Sequence, residues 1–212
     1  MGWRSCYVIM SKKEHWDNIY STKTIQEVSW HQPIPKISLD FILSLGLPKE
    51  SPIIDVGGGD SFLVDSLIKE GYTDLTVLDI SKVAIERAKI RLAKNANKIN
   101  WIVSDITNFS AERKYSVWHD RAVFHFLRKE QEINSYLESL NNGTAADGRL
   151  VLGAFAENGP KRCCALDVKR YSFNDLEKKI GDQFLIEKMI NSIHQTPFKT
   201  EQSFNFVQAI KR

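Results

Sequence analysis

Residues 52–72 read PIIDVGGGDSFLVDSLIKEGY. An acid closes a short apolar run, three glycines follow, and a helical periodicity begins. Glycine carries no Cβ, so backbone N–H groups of such a turn can come within contact distance of a ligand. The dinucleotide fingerprint G-x-G-x-x-G needs a third glycine where the helix packs on the strand. Gly57 and Gly59 fill the first two slots, but bulky Phe62 stands in the third. That argues against a pyrophosphate-binding nicotinamide site and for a ligand that still touches the loop but lacks a pyrophosphate.

Two further acids narrow the chemistry. Asp79 ends the next apolar run, 24 residues beyond Asp55, where a carboxylate can accept both ribose hydroxyls of an adenosine. Ile80 follows it, placed to cover one face of a purine, and Ser81 reads as the cap of the next helix. Asp105 ends a third run with Ile106 behind it. A carboxylate there can accept the exocyclic amine of adenine, and a backbone N–H can serve a ring nitrogen. Alone, each feature is weak, because glycine turns and strand-end acids are common. Asp55, Asp79 and Asp105 in one register describe a site shaped for an adenosyl ligand, to which Gly57, Gly58, Gly59, Ile80, Ser81 and Ile106 contribute.

The elements that must hold these residues follow from periodicity. Trp16, Ile19 and Tyr20 mark a short amphipathic helix, a Pro-interrupted loop covers 27–35, and 36–46 reads as a helix ending near Gly46. From residue 51 onward, buried-type strands (51–56, 74–80, 99–106, 114–120, 148–156) alternate with helices (61–72, 81–96, 130–142, 172–182). Ser81 and Ser172 serve as N-caps, and Gly143 closes the third of these helices. Such alternation builds a parallel sheet covered on both faces. The last two runs, 184–195 and 203–212, have no helix between them and should pair antiparallel at one side.

Bulk properties set limits. The chain has 212 residues, 42% hydrophobic and 26% charged, enough for one α/β domain with a substantial core. We place it at 12–212, with 12–48 as N-terminal helices over the site and 1–11 as an extension outside the core. MGWRSCYVI reads as an over-extended start ahead of Met10. The net charge of +3 is small and dispersed, which argues against nucleic-acid and membrane partners. No apolar run approaches the ~20 residues that span a bilayer. Cys6, Cys163 and Cys164 form no metal-ligand pattern, and read as reduced thiols of a cytoplasmic protein.

The blocks DVGGGDSFLVD, LTVLDIS and VSDIT resemble the first, second and third cofactor motifs of class I S-adenosylmethionine-dependent methyltransferases. WHDRAVFHFL, GPKRCCALDVKRY and TPFKTEQSFNF are similar to blocks of a small bacterial subgroup. The resemblance covers residues 12–212. It implies a three-layer Rossmann-like fold with a seven-stranded sheet, order 3-2-1-4-5-7-6 with strand 7 antiparallel, and S-adenosyl-L-methionine as cofactor. It also implies that the segment ahead of the first strand folds over the cofactor as a lid, with Trp30 and His31 its best candidates and Trp30 in contact with the cofactor.

The acceptor is left open by that resemblance. The fourth strand's end should face the transferred methyl, with His119, Asp120 and Arg121 the candidate catalytic groups and His125 nearby. Histidine is the side chain whose ordinary proton exchange falls near neutral pH, so His119 can take an acceptor proton; the structural alternative is a strand-end histidine bonded to a neighbouring backbone group. Its place also puts it beside the cofactor. Asp120 next to Arg121 reads as an ion pair that shapes the loop, while Arg121 has a planar fork that matches carboxylates. The basic residues Lys161, Arg162, Lys169 and Arg170 either guide an acidic substrate or form a solvated loop. The D/N-P-P-Y/F block of DNA amino-methylating enzymes is replaced by His119-Asp120-Arg121-Ala122, which argues against a nucleic-acid acceptor. The expected activity is methyl transfer to a small molecule; the alternatives are a protein lysine acceptor, an NAD-dependent oxidoreductase and a non-catalytic adenosyl-binding protein.

Overall fold

Buried apolar runs satisfy their main-chain groups only against one another, and here they do so in a single large sheet. The computed structural model describes residues 10–212, so the suspected over-extended start at 1–9 lies outside the described residues. β1 (Ile53–Val56), β2 (Leu75–Asp79), β3 (Ile99–Val103), β4 (Tyr115–Arg121) and β5 (Thr144–Phe155) pair in parallel. A two-stranded ribbon, β6 (Arg162–Cys163) with β7 (Leu166–Asp167), stands apart from the sheet. β8 (Phe184–Gln195) and β9 (Glu201–Lys211) complete the sheet in the order β3-β2-β1-β4-β5-β9-β8, with β9 antiparallel to both neighbours. Apart from the two numbers taken by the ribbon, this is the expected order. β9 runs backwards because five residues join it to β8, too few for a crossover.

The helices are α1 (Lys12–Thr22), α2 (Lys36–Leu43), α3 (Leu63–Lys69), α4 (Lys82–Leu92), α5 (Glu130–Gly143) and α6 (Phe173–Ile180). Ser81 and Ser172 cap α4 and α6 as expected, each accepting an N–H of the first turn. Ser11 caps α1 through a reciprocal pair with Glu14. α2 stops at Leu43, three residues before Gly46, and β5 starts at Thr144, four residues earlier than its apolar run.

Two buried clusters flank the sheet. Trp118, Phe124, Tyr136, Leu150, Leu152 and Tyr171 pack on one face, and Phe41, Ile42, Val117, Val151 and Phe206 on the other. The alternation matters for the site. Side chains of successive strand residues point to opposite faces, so His119 and Arg121 share the Val117 side of β4, and Asp120 shares the Trp118 side. No helix of the described residues is long and apolar enough to cross a membrane.

Candidate active site

A cleft opens at the carboxyl ends of the parallel strands, where this topology places ligands. Asp55, Asp79 and Asp105 all line it, from the tips of β1, β2 and β3. Gly57, Gly58, Ile80, Ile106, His119, Arg121 and Trp30 line it too. Gly59, expected at the cofactor, is not part of the lining.

The glycine turn is tight. Gly57 has φ +67°, and a Cβ there would stand 2.0 Å from Cγ2 of Val123. A Cβ on Gly59 would stand 2.7 Å from Oδ2 of Asp79 and 3.0 Å from the Tyr20 hydroxyl. The glycines therefore let the turn pack directly against Val123, Asp79 and Tyr20. One expectation is corrected: the N–H groups of Gly57 and Gly58 donate to the Leu78 carbonyl at 2.7 and 3.3 Å, rather than facing a ligand. Asp60 is buried and fixes the turn through Arg87 at 2.9 Å and through Arg91, which also reaches Asp65 at 2.8 Å. The Arg91 guanidinium lies 4.3 Å from the centre of the Phe62 ring, so the bulky residue in the third slot is a packing surface.

Asp79 is 5% exposed, and one of its oxygens accepts the Ser81 N–H at 2.7 Å. Burial pushes its pKa up to about 7, reinforced by Asp55 and Asp17. Asp105 is half-buried and turns one oxygen back to the Thr107 N–H and hydroxyl at 2.9 and 2.8 Å, which sets its side chain at the cleft edge.

Asp55 and His119 are register partners on β1 and β4, and His119 Nδ1 lies 2.7 Å from Asp55 Oδ1. His119 Nε2 lies 2.8 Å from the Ser38 hydroxyl on α2. An ionised carboxylate only accepts, so Nδ1–H donates to Asp55, and in the neutral imidazole Nε2 accepts the Ser38 O–H. Ser38 also lines the cleft. Sequence reading missed it because 81 residues separate it from His119.

Asp120 and Ser81 stand outside the cleft lining. Asp120 is fully buried on the opposite side of β4 and accepts the N–H groups of Val123 and Phe124 at 2.8 and 3.1 Å. It shapes the loop as expected, but through the main chain and without an ion pair to Arg121, because strand alternation sends the two side chains apart. Burial raises its pKa to about 6. The Ser81 hydroxyl donates to Asp17 at 2.6 Å and accepts the Ala84 N–H. Asp17 therefore ties α1 to the start of α4. Arg87 adds a second tie, donating to the carbonyls of Tyr20 and Lys23 at 2.8 and 2.7 Å. Held this way, Trp16 and Tyr20 pack edge-on against Trp30 with ring centres 5.9 Å apart in both pairs, and all three line the cleft.

Arg121 Nη1 donates to the Trp30 carbonyl at 3.3 Å, and the guanidinium sits 4.7 Å from the centre of the Phe204 ring. Its Nη2 is shielded from solvent and has no hydrogen-bond partner among the described residues. Burial pushes its pKa down to about 10. His125 stacks on Phe155 at 4.1 Å and accepts its N–H through Nδ1, and burial with Arg121 pushes its pKa down to about 3, so it is a neutral packing residue. The basic loop is largely paired locally: Arg162 with Asp167, Lys169 with Glu130, and Arg170 with the Glu157 carbonyl.

Sheet order, the reversed β9 and a cleft over a glycine turn with acids on three successive strand tips together define the class I methyltransferase fold. The family model described as Nodulation protein S (NodS) matches residues 39–165, and the chain belongs to that family. It is similar to the malonyl-[acyl-carrier protein] O-methyltransferase 1 of Ilyobacter polytropus, 30% identical over 96 residues, which is 45% of this chain and 35% of the relative. It is also similar to the EEF1A lysine methyltransferase 2 of Danio rerio, 23% identical over 158 residues and 68% of each chain. The match to the first of these thus spans about a third of that relative's length. Among solved structures, the N-methyltransferase NodS from Bradyrhizobium japonicum WM9 in complex with S-adenosyl-L-homocysteine superposes with a TM-score of 0.64 at 17% identity, over 83% of this chain and 86% of that one.

Proposed function

We propose that this chain is an S-adenosyl-L-methionine-dependent methyltransferase that acts on a small molecule. The observation that carries the reading is the convergence of Asp55, Asp79 and Asp105 on one cleft beside a turn that a Cβ would obstruct. The donor set fits the cofactor. Asp79 suits a vicinal diol, because its buried carboxylate has an unpaired charge that two hydroxyl donors would stabilise. Asp105 suits the adenine amine, with Ile80 and Ile106 as the apolar faces of the base pocket. When bound, the cofactor supplies a methyl carbon carried on a sulfonium.

The chain's own residues then orient the acceptor, exclude water and move a proton. The cover of Trp16, Tyr20 and Trp30 keeps water out, which strengthens the positioning contacts. Where the acceptor carries a proton at working pH, it passes to the Ser38 oxygen as the Ser38 proton moves to His119 Nε2. Asp55 stabilises the resulting imidazolium through Nδ1–H. Asp120 acts on the loop that presents Arg121 rather than on the acceptor. Sites, lid and proton path are our assignments, as are the single-domain boundary at 12–212 and a cytoplasmic location, with which the free Cys163 and Cys164 agree.

A protein lysine acceptor is the second reading, favoured by the similarity to the EEF1A lysine methyltransferase across two thirds of both chains. Calorimetry tests the cofactor: S-adenosylhomocysteine should bind and NAD should not, and the reverse result removes the reading. Incubating a lysate with tritiated-methyl cofactor tests the acceptor. Label in the small-molecule fraction is expected; label on a discrete protein band selects the lysine reading.

A further inference from the structure

The cleft has two chemically different halves. Over β3, β2 and β1 its wall is acidic, with Asp105, Asp79 and Asp55. Over β4, β5 and β9 it is cationic and aromatic, with Arg121, Phe155 and Phe204, the last two being register partners. Trp30 lines the cleft and its carbonyl accepts from Arg121.

We propose that the half over β4, β5 and β9 receives an acceptor carrying a carboxylate on a flat aromatic body, with Arg121 as its ion partner. The proposal rests on the methyltransferase reading, in which the acidic half takes the adenosyl group. Three observations support it. Arg121 Nη2 is buried in the cleft wall without a hydrogen-bond partner, and Nη1 has only a long bond to a carbonyl. A guanidinium held away from water without a carboxylate partner is costly, and an arriving carboxylate removes that cost by pairing with the unbonded edge of the fork. No carboxylate of the described residues forms an ion pair with it; the groups that act on it through space are the Cys163 thiol and then Asp55, which is engaged by His119. Lastly, the guanidinium lies 4.7 Å from the centre of the Phe204 ring, and Phe155 lies 4.7 Å from Phe204, so apolar rings border the charge. The same cation repels a lysine ammonium entering this half.

The cofactor's own amino-acid carboxylate is the other possible source of the anion, so the test separates the two. A panel of aromatic carboxylates (benzoate, anthranilate, salicylate) and their carboxamides is titrated by calorimetry into the intact protein, with and without saturating S-adenosylhomocysteine. We expect at least one carboxylate to bind roughly tenfold or more tighter than its amide, and Arg121→Gln to erase that ratio while S-adenosylhomocysteine affinity stays within about twofold. Arg121→Lys, which keeps the charge but loses the fork, should retain part of the preference and serves if the glutamine variant does not fold. Equal binding of acids and amides, or no acid binding at all, overturns the proposal. So does a fall of roughly tenfold or more in S-adenosylhomocysteine affinity in Arg121→Gln, which would assign the arginine to the cofactor. A carboxylate preference in a protein that ignores S-adenosylhomocysteine would keep the anion site and remove the methyltransferase reading instead.

Discussion

Asp79 combines deep burial with a pKa near 7, and this makes its proposed ribose role measurable by pH. If its ionised form accepts the hydroxyls, S-adenosylhomocysteine should bind with steady affinity above pH 7.5 and lose roughly tenfold per pH unit well below 7. Asp79→Asn should weaken binding by about 1–3 kcal/mol at pH 8 and flatten the profile; titration calorimetry at several pH values reads both. An affinity that the substitution leaves unchanged removes Asp79 from the site. His119 gives a second check. Both ring nitrogens are bonded, to Asp55 and Ser38, so a positioning role and a proton-moving role predict different kinetics. Ser38→Ala should lower kcat and shift its pH profile with little change in KM; a rise in KM alone would mean that the pair merely shapes the pocket. Asp120 belongs to stability: Asp120→Ala strands two backbone N–H groups and should cost about 2–4 kcal/mol in chemical denaturation.

At the scale of elements, what was legible in the sequence was whatever depends on local patterning. The five apolar runs, the serine caps of α4 and α6, and the antiparallel last pair all follow from periodicity and connection length. The β6–β7 ribbon was not legible, because its turn is built from Cys164 and Ala165 at positive φ, residues that carry no turn signal. Ser38 and the Asp17–Ser81 tie were hidden for another reason: they join segments far apart in the chain. Asp120 was within reach, since strand alternation alone separates it from His119 and Arg121. The tie between α1 and α4 gives its own prediction. Asp17→Ala removes the bonds to Ser81 and Val83, so amide hydrogen exchange in α1 should speed up while β1 and β4 stay protected. Unchanged exchange in α1 would show that the Arg87 bonds suffice.

For the whole molecule, buried titratable groups bend the stability curve. Asp79 is protonated in the fold up to about pH 7 and ionised in the unfolded chain above its ordinary value near 4. Its contribution to stability is therefore complete below about pH 4 and is lost as pH rises through 7. His125 works the other way: held neutral, its contribution is complete above about pH 6.5 and is lost as pH falls toward 3. Thermal melting of Asp79→Asn against the parent should show a difference that favours the variant increasingly between pH 4 and pH 7.5 and then levels off. A difference independent of pH would place the carboxylate in a more solvated setting than the fold gives it.

The aromatic cover and its ties to α4 also bear on timing. If donor and product pass beneath α1, as the proposed lid role requires, both wait for the same clasp to open. If that wait exceeds the chemical step, rapid-quench mixing will record a burst of one methylated product per enzyme before a slower steady phase, and releasing the clasp at Asp17 will speed the slow phase rather than the burst.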